Sequence, residues 1–349
     1  MNAEPFAEVV VKVLVPGVLS RIRPSANADI HQATREYERW MRGRTRAITG
    51  DLHSKRAQMR ADLFLFLRGS FYRWAQLWPD VCGDLCHAPE VLSVGDLHVN
   101  SSVTWRDAEG RTCWGVDDFD EAYPLPYTND LVRLAASLKI VIDSGTLSLT
   151  LRDGCAAVLD GYEKTLKMGG CPFVLAEDEP QLEKLGMESI KPPQGFWKKM
   201  NELPASRGSL PRDAKRALGK SLPDLDCEYK VVRRSAGHGS LGRERYVAIA
   251  KWQDGGIARE AKAMLPSACA WLEGKLGDRE SHYQEAIDSA VRSHDPYQFI
   301  TERLAHPPVC RPIRVQLTSL TCLRGGAKRC FCMRWGAKPP MCILDPGAQ

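Results

Sequence analysis

The chain has 349 residues, 44% hydrophobic and 26% charged, with a formal net charge of +5. That length supports one large domain or two parts with sizeable cores, and the composition is that of a globular protein. The charge is too mild to imply nucleic acid, the apolar runs are too short or interrupted for a membrane span, and twelve irregularly spaced cysteines make no small disulfide scaffold.

Residues 1–28 read as a variable lead-in. Its apolar run VVVKVLVPGVL follows Glu4 without a basic leader and makes a poor signal peptide, so a cytoplasmic, reduced chain is expected. From Ala28 to about Ile48 the sequence is polar and favours helix. ADLFLFLRGSFYRWAQLW (Ala61 to Trp78) carries apolar residues on most sides, as a buried helix or helix-turn does. Cys82, Cys86 and His87 in CGDLCH lack a second ligand pair at metal spacing, so a loop with incidental thiols is expected. EVLSV reads as a strand entering the Gly95–Asn100 loop, and TCWGV as a strand ending at Asp117. With the turn at Asp107 to Gly110 they are expected to form a hairpin. Leu131, Leu134, Ala135, Leu138 and Ile142 have helical spacing behind a cap at Thr128 or Asn129, and a second helix is expected over Asp153 to Met168.

Residues 29–176 are thus read as a helical part carrying the loops. Residues 177–226, charged and Pro-containing, read as a surface connection with short helices. Residues 227–305 read as β-rich: strand, Gly loop, strand, tight Gly-Gly turn, and a third strand over Ile257 to Met264. Residues 306–349 form a tail rich in Cys and basic residues, without periodicity.

The acidic residues carry the chemistry. Asp96 and Asp118 each follow a strand expected to be buried, and buried carboxylates require a cation or a proton. Two carboxylates at one end of a hairpin hold Mg2+ through oxygen, with one left to take a proton from a nucleophile. Asn100 and Ser101 offer neutral oxygens beside them. Asp130, at the start of the next helix, is placed to accept backbone N–H bonds and brace the loop.

Gly237-x-Gly239-x-x-Gly242 fits G-x-G-x-x-G. A dinucleotide fold needs a helix after such a loop. Here a strand, RYVAIAKW, follows, the arrangement that covers ATP phosphates in protein kinases. Lys262, on the third strand, shares a face with Ala258, Glu260 and Met264 and is placed to reach the phosphates. Arg68 is a further candidate for the cleft, with a carboxylate-paired helix Arg an equally good reading.

VGDLHVN, VDDFDEA and ND resemble the G-D-x-H and I-D-F/W-x-D-A stretches of aminoglycoside and choline kinases, in which the first Asp is the catalytic base and the second binds metal. The run also resembles an uncharacterised bacterial family, domain of unknown function 2252, whose members carry an F-x-R-G element like Phe66 to Gly69, a G-D-x-H loop, an N-D-F-D-E element and a later G-x-G-S-x-G loop. The likeness covers roughly residues 30–305 and supplies no substrate.

The resemblance implies an α+β, protein-kinase-like two-lobed fold. The Gly loop and Lys follow the catalytic loop here, so the fold is expected to be circularly permuted, catalytic lobe first and nucleotide-covering lobe second. Surface termini permit such permutation. The implied activity is ATP- and Mg2+-dependent transfer of a phosphoryl group to an unknown hydroxyl acceptor. Asp96 would orient or deprotonate the acceptor, with His98 beside it in the catalytic loop in a structural role. Asp118, with Asn100 or Ser101 and Asp120, would hold Mg2+. Gly237, Gly239, Ser240, Gly242, Lys262 and Arg68 would contact the nucleotide. A nucleotide-binding protein without phosphotransfer, an AMP-transferring enzyme, and an interaction protein with a structural cation are the alternatives.

Three departures stand out. Ser101 occupies the position of the metal-binding Asn, which lies one earlier at Asn100. Asp117 stands where the family usually has Asn. The tail, read with a two-nucleotide frame shift and suitable synonymous codons from Lys328, becomes an amphipathic helix similar to the family's, so a frameshift upstream of Lys328 is expected. A zinc cluster of Cys322, Cys330, Cys332 and Cys342 ranks lower for want of paired C-x-x-C spacing.

Overall fold

The computed structural model describes residues 6–10, 29–178, 183, 193–203, 205–206, 210–224, 226–274, 281–301 and 304–306. The tail from 307 onward, with its expected frameshift and its alternative zinc cluster, lies outside the described residues.

The polar stretch from Ala28 to Ile48 makes α1 (Ile30–Arg42), and a helix that sequence reasoning missed, α2 (Thr49–Ala61), follows it. Asp29 caps α1 by accepting from the Gln32 N–H at 2.7 Å, and Ala33, Tyr37, Trp40 and Met41 line its buried face at helical spacing. The apolar stretch after Ala61 divides into α3 (Leu63–Gly69) and α4 (Phe71–Val81). The break falls at Ser70, whose hydroxyl donates back to the Phe66 carbonyl at 2.6 Å.

Four short strands follow: β1 (Glu90–Ser93), β2 (Ser102–Arg106), β3 (Thr112–Val116) and β4 (Tyr123–Pro126). The expected hairpin is corrected in one respect. β3 pairs with β2 across the Asp107 turn, while β1 pairs with β4. Asp107 fastens that turn by accepting from the Arg111 N–H at 2.9 Å. The consequence for the carboxylates survives for a different reason. Ser93 faces Tyr123 in one ladder and Ser102 faces Val116 in the other. The two connections, 94–101 and 117–122, therefore run side by side between the ladders, carrying Asp96 and Asp118.

α5 (Thr128–Asp143) buries Leu131, Leu134, Ala135 and Leu138. Tyr127 holds its N-cap position with no side-chain bond, so the expected cap at Thr128 or Asn129 does not form; both residues sit inside the first turn, with other partners. α6 (Leu151–Lys167) is capped by Thr150, and α7 (Leu175–Asp178) is a single turn.

The stretch read as a surface connection contributes α8 (Pro193–Glu202) and α9 (Arg212–Ser221). Both cover a five-stranded antiparallel sheet built from β5 (Tyr229–Arg233), β6 (Arg245–Trp252), β7 (Gly255–Ala263), β8 (Phe299–Thr301) and β9 (Leu304–His306), ordered β5-β6-β7-β9-β8. Side chains alternate across a strand. Tyr246, Ala248 and Ala261 accordingly pack with Ala214, Ala217 and Leu218 of α9, while Val247, Val232 and Ala258 pack with Met200 of α8. The β6–β7 turn rests on Gln253 and Asp254, both with positive φ, and Gly255 and Gly256 open β7 instead of forming the turn.

α10 (Ala268–Leu272) and α11 (Tyr283–Ser289) interrupt the β-rich region. They pack into the helical core through Ala268, Cys269, Tyr283 and Ile287, which joins sheet and helices at one seam. The molecule is thus mixed helix and sheet. No helix among the described residues is long and apolar enough to cross a membrane.

Candidate functional site

The site lies where the two connections meet the Gly loop. Asp130, fully buried on α5, accepts from the Val94 N–H at 2.8 Å and the Gly95 N–H at 3.0 Å. Those bonds aim the chain leading into Asp96, the bracing role expected from its place at a helix start. Burial raises the Asp130 carboxyl to about 6 against the donors that favour its charge. Gly95 has φ +80, and a Cβ there would lie 2.2 Å from the Glu121 carbonyl oxygen. Only glycine lets the two connections approach so closely.

Asp96 is held from behind by Arg133, a residue that sequence reasoning missed. The Arg133 side chain has 0% exposure. Its Nε donates to Asp96 Oδ1 at 2.8 Å, its Nη2 contacts the same oxygen, and Nη2 also donates to the Leu67 carbonyl at 2.8 Å. The guanidinium lies against the rings of Phe71 and Trp74. Burial raises the Asp96 carboxyl, opposed by Arg133. The available signal was an Arg inside the apolar helix NDLVRLAASL, where a buried cation requires a partner.

His98 is buried, and its Nδ1 accepts from the Asn100 N–H at 3.1 Å. Burial, with Arg68 and Arg133 nearby, holds it well below the usual imidazole range, so the ring is neutral. Ser101 is committed to the same loop. Its hydroxyl accepts from the His98 N–H at 2.9 Å and donates to the Asp96 carbonyl at 3.3 Å. The Asn100 side chain makes no hydrogen bond among the described residues.

Lys262 on β7 meets the second connection. Its Nζ contacts Asp120 Oδ1 directly and lies 3.5 Å from Asp118 Oδ1. Burial alone would lower the ammonium; Asp120 and Asp118 outweigh it and hold it above its ordinary value. Asp118, with its side chain 48% exposed, is held well below the usual carboxylate range: burial opposes the shift, and Lys262, Asp120, Arg68 and His98 together overcome it. Asp120 is deeper, and burial raises it. Among the described residues no three His, Cys, Asp or Glu side chains gather as a metal group.

The Gly loop covers this arrangement. A Cβ on Gly239 would lie 3.7 Å from the Arg68 carbonyl and 3.9 Å from Asp96 Oδ2, so the loop passes directly over the catalytic-loop candidate. Gly242, with φ +101, lies against Leu52, and its carbonyl accepts from the Ile48 N–H at 2.8 Å. Lys55 Nζ donates to the Gly239 carbonyl at 2.7 Å. The Ser240 hydroxyl accepts from Arg245 Nη2 at 2.7 Å, and Arg245 in turn pairs with Glu260. Gly237 has φ +75 and packs on the Arg245 guanidinium.

The cleft is partly open to solvent and lined by Lys55, Arg68, Asp96, Asp118, Asp120, Glu121, Gly239, Ser240 and Arg243 with Tyr37, Phe71 and Tyr72. Arg243 ties the loop to the helices, with Nη2 donating to Tyr37 Oη at 3.3 Å and to Glu121 Oε1 at 3.4 Å. Glu121 also accepts from the Ala268 N–H at 2.7 Å. Arg243, Tyr37 and Lys55 gave no motif signal; they come from separate segments and meet Glu121, the last residue of the DDFDE element, only in the fold.

Residues 46–188 match the model of a bacterial family. Its description is "Uncharacterized protein conserved in bacteria (DUF2252)". The match takes in Arg68, Asp96, Asp118 and Asp130 and ends before the Gly loop and Lys262, a shorter span than the likeness over 30–305 expected from the motifs. No curated protein and no solved structure matches the chain.

Proposed function

We propose that the chain is an ATP- and Mg2+-dependent phosphotransferase of permuted kinase-like architecture, with the β5–β9 sheet as the nucleotide-covering lobe. One observation carries this reading: a Gly loop from the sheet closes over a cleft lined by three carboxylates of the helical part, two of which are held from behind by Lys262 of the same sheet. Phosphoryl transfer needs donors over the phosphates, a cation beside them and carboxylates for metal and acceptor. In this reading Asp118 and Asp120 would hold Mg2+, which would neutralise phosphate charge when bound. Two carboxylates fit an ion that keeps several waters, and Asp118 and Asp120 line the cleft while Asn100 is outside its lining. Ser101 is less suited, its hydroxyl being spent within the loop. Asp96 would orient the acceptor hydroxyl through Oδ2, since Oδ1 is taken by Arg133. Lys262 would exchange its carboxylate partners for phosphate.

A second reading, nucleotide binding without transfer, draws on the Arg133–Asp96 pair, because the guanidinium occupies Asp96 Oδ1 and leaves only Oδ2 to face an acceptor.

Thermal-shift titration with ATP and Mg2+ tests the proposal on the wild type, Asp118→Asn and Lys262→Met. The wild type should be stabilised and both variants should respond less. A wild type indifferent to nucleotide sinks the reading. Binding without turnover of any hydroxyl acceptor selects the second one.

A further inference from the structure

The charges around the cleft do not cancel. Asp96 pairs with Arg133, Asp118 and Asp120 with Lys262, and Asp120 and Glu121 with Arg243. Two cations remain. Lys55 bonds only to a neutral carbonyl, that of Gly239, and Arg68 makes no hydrogen bond or ion pair among the described residues, its buried Nε being orphaned. Both line the open cleft, whereas Lys262 stands behind Asp118 and Asp120 and does not.

The loop above them is complementary. Among the described residues, the backbone N–H groups of Gly239 and Ser240 donate no hydrogen bond. Successive free amides in a Gly turn form a concavity suited to an anion. A partly buried cation without a counter-ion is unfavourable until an anion arrives.

We propose that Lys55, Arg68 and the Gly239–Ser240 amides form an anion site for a phosphate group, with Lys55 as a phosphate-contacting residue supplied by α2, outside the sheet that carries the Gly loop. The choice of phosphate rests on the phosphotransferase reading; the surplus of cations does not. Lys55 also couples the site to the loop, because the ammonium that meets the ligand already holds Gly239. Burial pushes Lys55 down to about 8, with Arg243 adding to the shift and Glu121, Asp96 and Glu38 opposing it; His238 and Arg68 flank the same space. Its charge is therefore lost as pH rises through that value, and anion binding weakens with it.

Isothermal titration of the full chain with inorganic tripolyphosphate, without metal, tests this. The wild type should bind at pH 7 and weaken several-fold by pH 9.5. Lys55→Met and Arg68→Met should each lose at least tenfold in affinity. Lys55→Arg should retain binding and lose the pH dependence, which a purely structural role for Lys55 would not produce. Asp118→Asn should bind at least as tightly as the wild type. Circular dichroism confirms that each variant is folded. Wild-type affinity in both Met variants, or no binding by the wild type, overturns the proposal. The two readings fail separately. ATP with Mg2+ binding unchanged to Lys55→Met removes the anion site alone; Lys55-dependent tripolyphosphate binding with no response to ATP and Mg2+ removes the phosphotransferase alone.

Discussion

Lys262 on β7 places its ammonium against the carboxylate of Asp120, although the two residues come from opposite sides of the seam between sheet and helices. The Lys262 side chain is only 6% exposed. Lys262 thus offsets part of the negative charge of the acidic connection, with Arg243 beside Asp120.

Removing that ammonium should expose the cost. Lys262→Met leaves Asp118 and Asp120 with Arg243, 3.7 Å from Asp120, as their remaining ion-pair partner among the described residues, and breaking a buried pair costs about 3–5 kcal/mol. Urea unfolding should show that loss. Divalent cations should stabilise the variant more than the wild type, since the carboxylates then lose the ammonium they share; equal stabilisation of both proteins would mean that the carboxylates do not face a shared space.

Arg133→Leu should be destabilising by a similar amount, about 3–5 kcal/mol, because it strands Asp96 in a buried setting. The double variant Arg133→Leu with Asp96→Leu should recover much of the loss. A double-mutant cycle in chemical denaturation measures the coupling, and additive losses would refute it.

Asp130 gives a pH signature. Its folded carboxyl is raised to about 6 from an ordinary value of 3.8, so folding favours the protonated form. The stability from this group is full below pH 3.8 and is lost as pH rises through about 6. The wild type should therefore gain on Asp130→Asn by up to roughly 3 kcal/mol as pH falls from 7 to 4. At pH 7 the variant should still be weakened by about 1–3 kcal/mol, because an amide accepts only one of the two bonds from Val94 and Gly95. Parallel denaturation profiles across that range would refute the assignment.

Glycine substitutions should separate architecture from binding. Gly95→Ala forces a Cβ into the Glu121 carbonyl at a positive φ and should lower the melting temperature sharply. Gly239→Ala meets nothing closer than 3.7 Å and should leave stability within about 1 kcal/mol of wild type. Its effect should appear in nucleotide or polyphosphate affinity, measured by titration. Unchanged affinity would place the ligand away from the loop.

Periodicity and local chemistry determined much of the molecule. The α5 core face, the strand–Gly loop–strand order and the bracing by Asp130 follow from helical spacing, strand alternation and the pull of a helix start on a carboxylate, all of which act within a few residues. Strand partners did not follow. EVLSV and SVTWR are equally good neighbours for TCWGV as sequences, and the turn at Asp107 selects the nearer one. Nor did the pairing of charges. Arg133 reaches Asp96, Lys262 reaches Asp120, and Lys55 reaches the Gly loop only when segments far apart in the chain pack together. Which carboxylate is satisfied, and which cation is left over for a ligand, is decided by that packing, because charge balance in a buried cleft depends on distance in space and not on order along the chain.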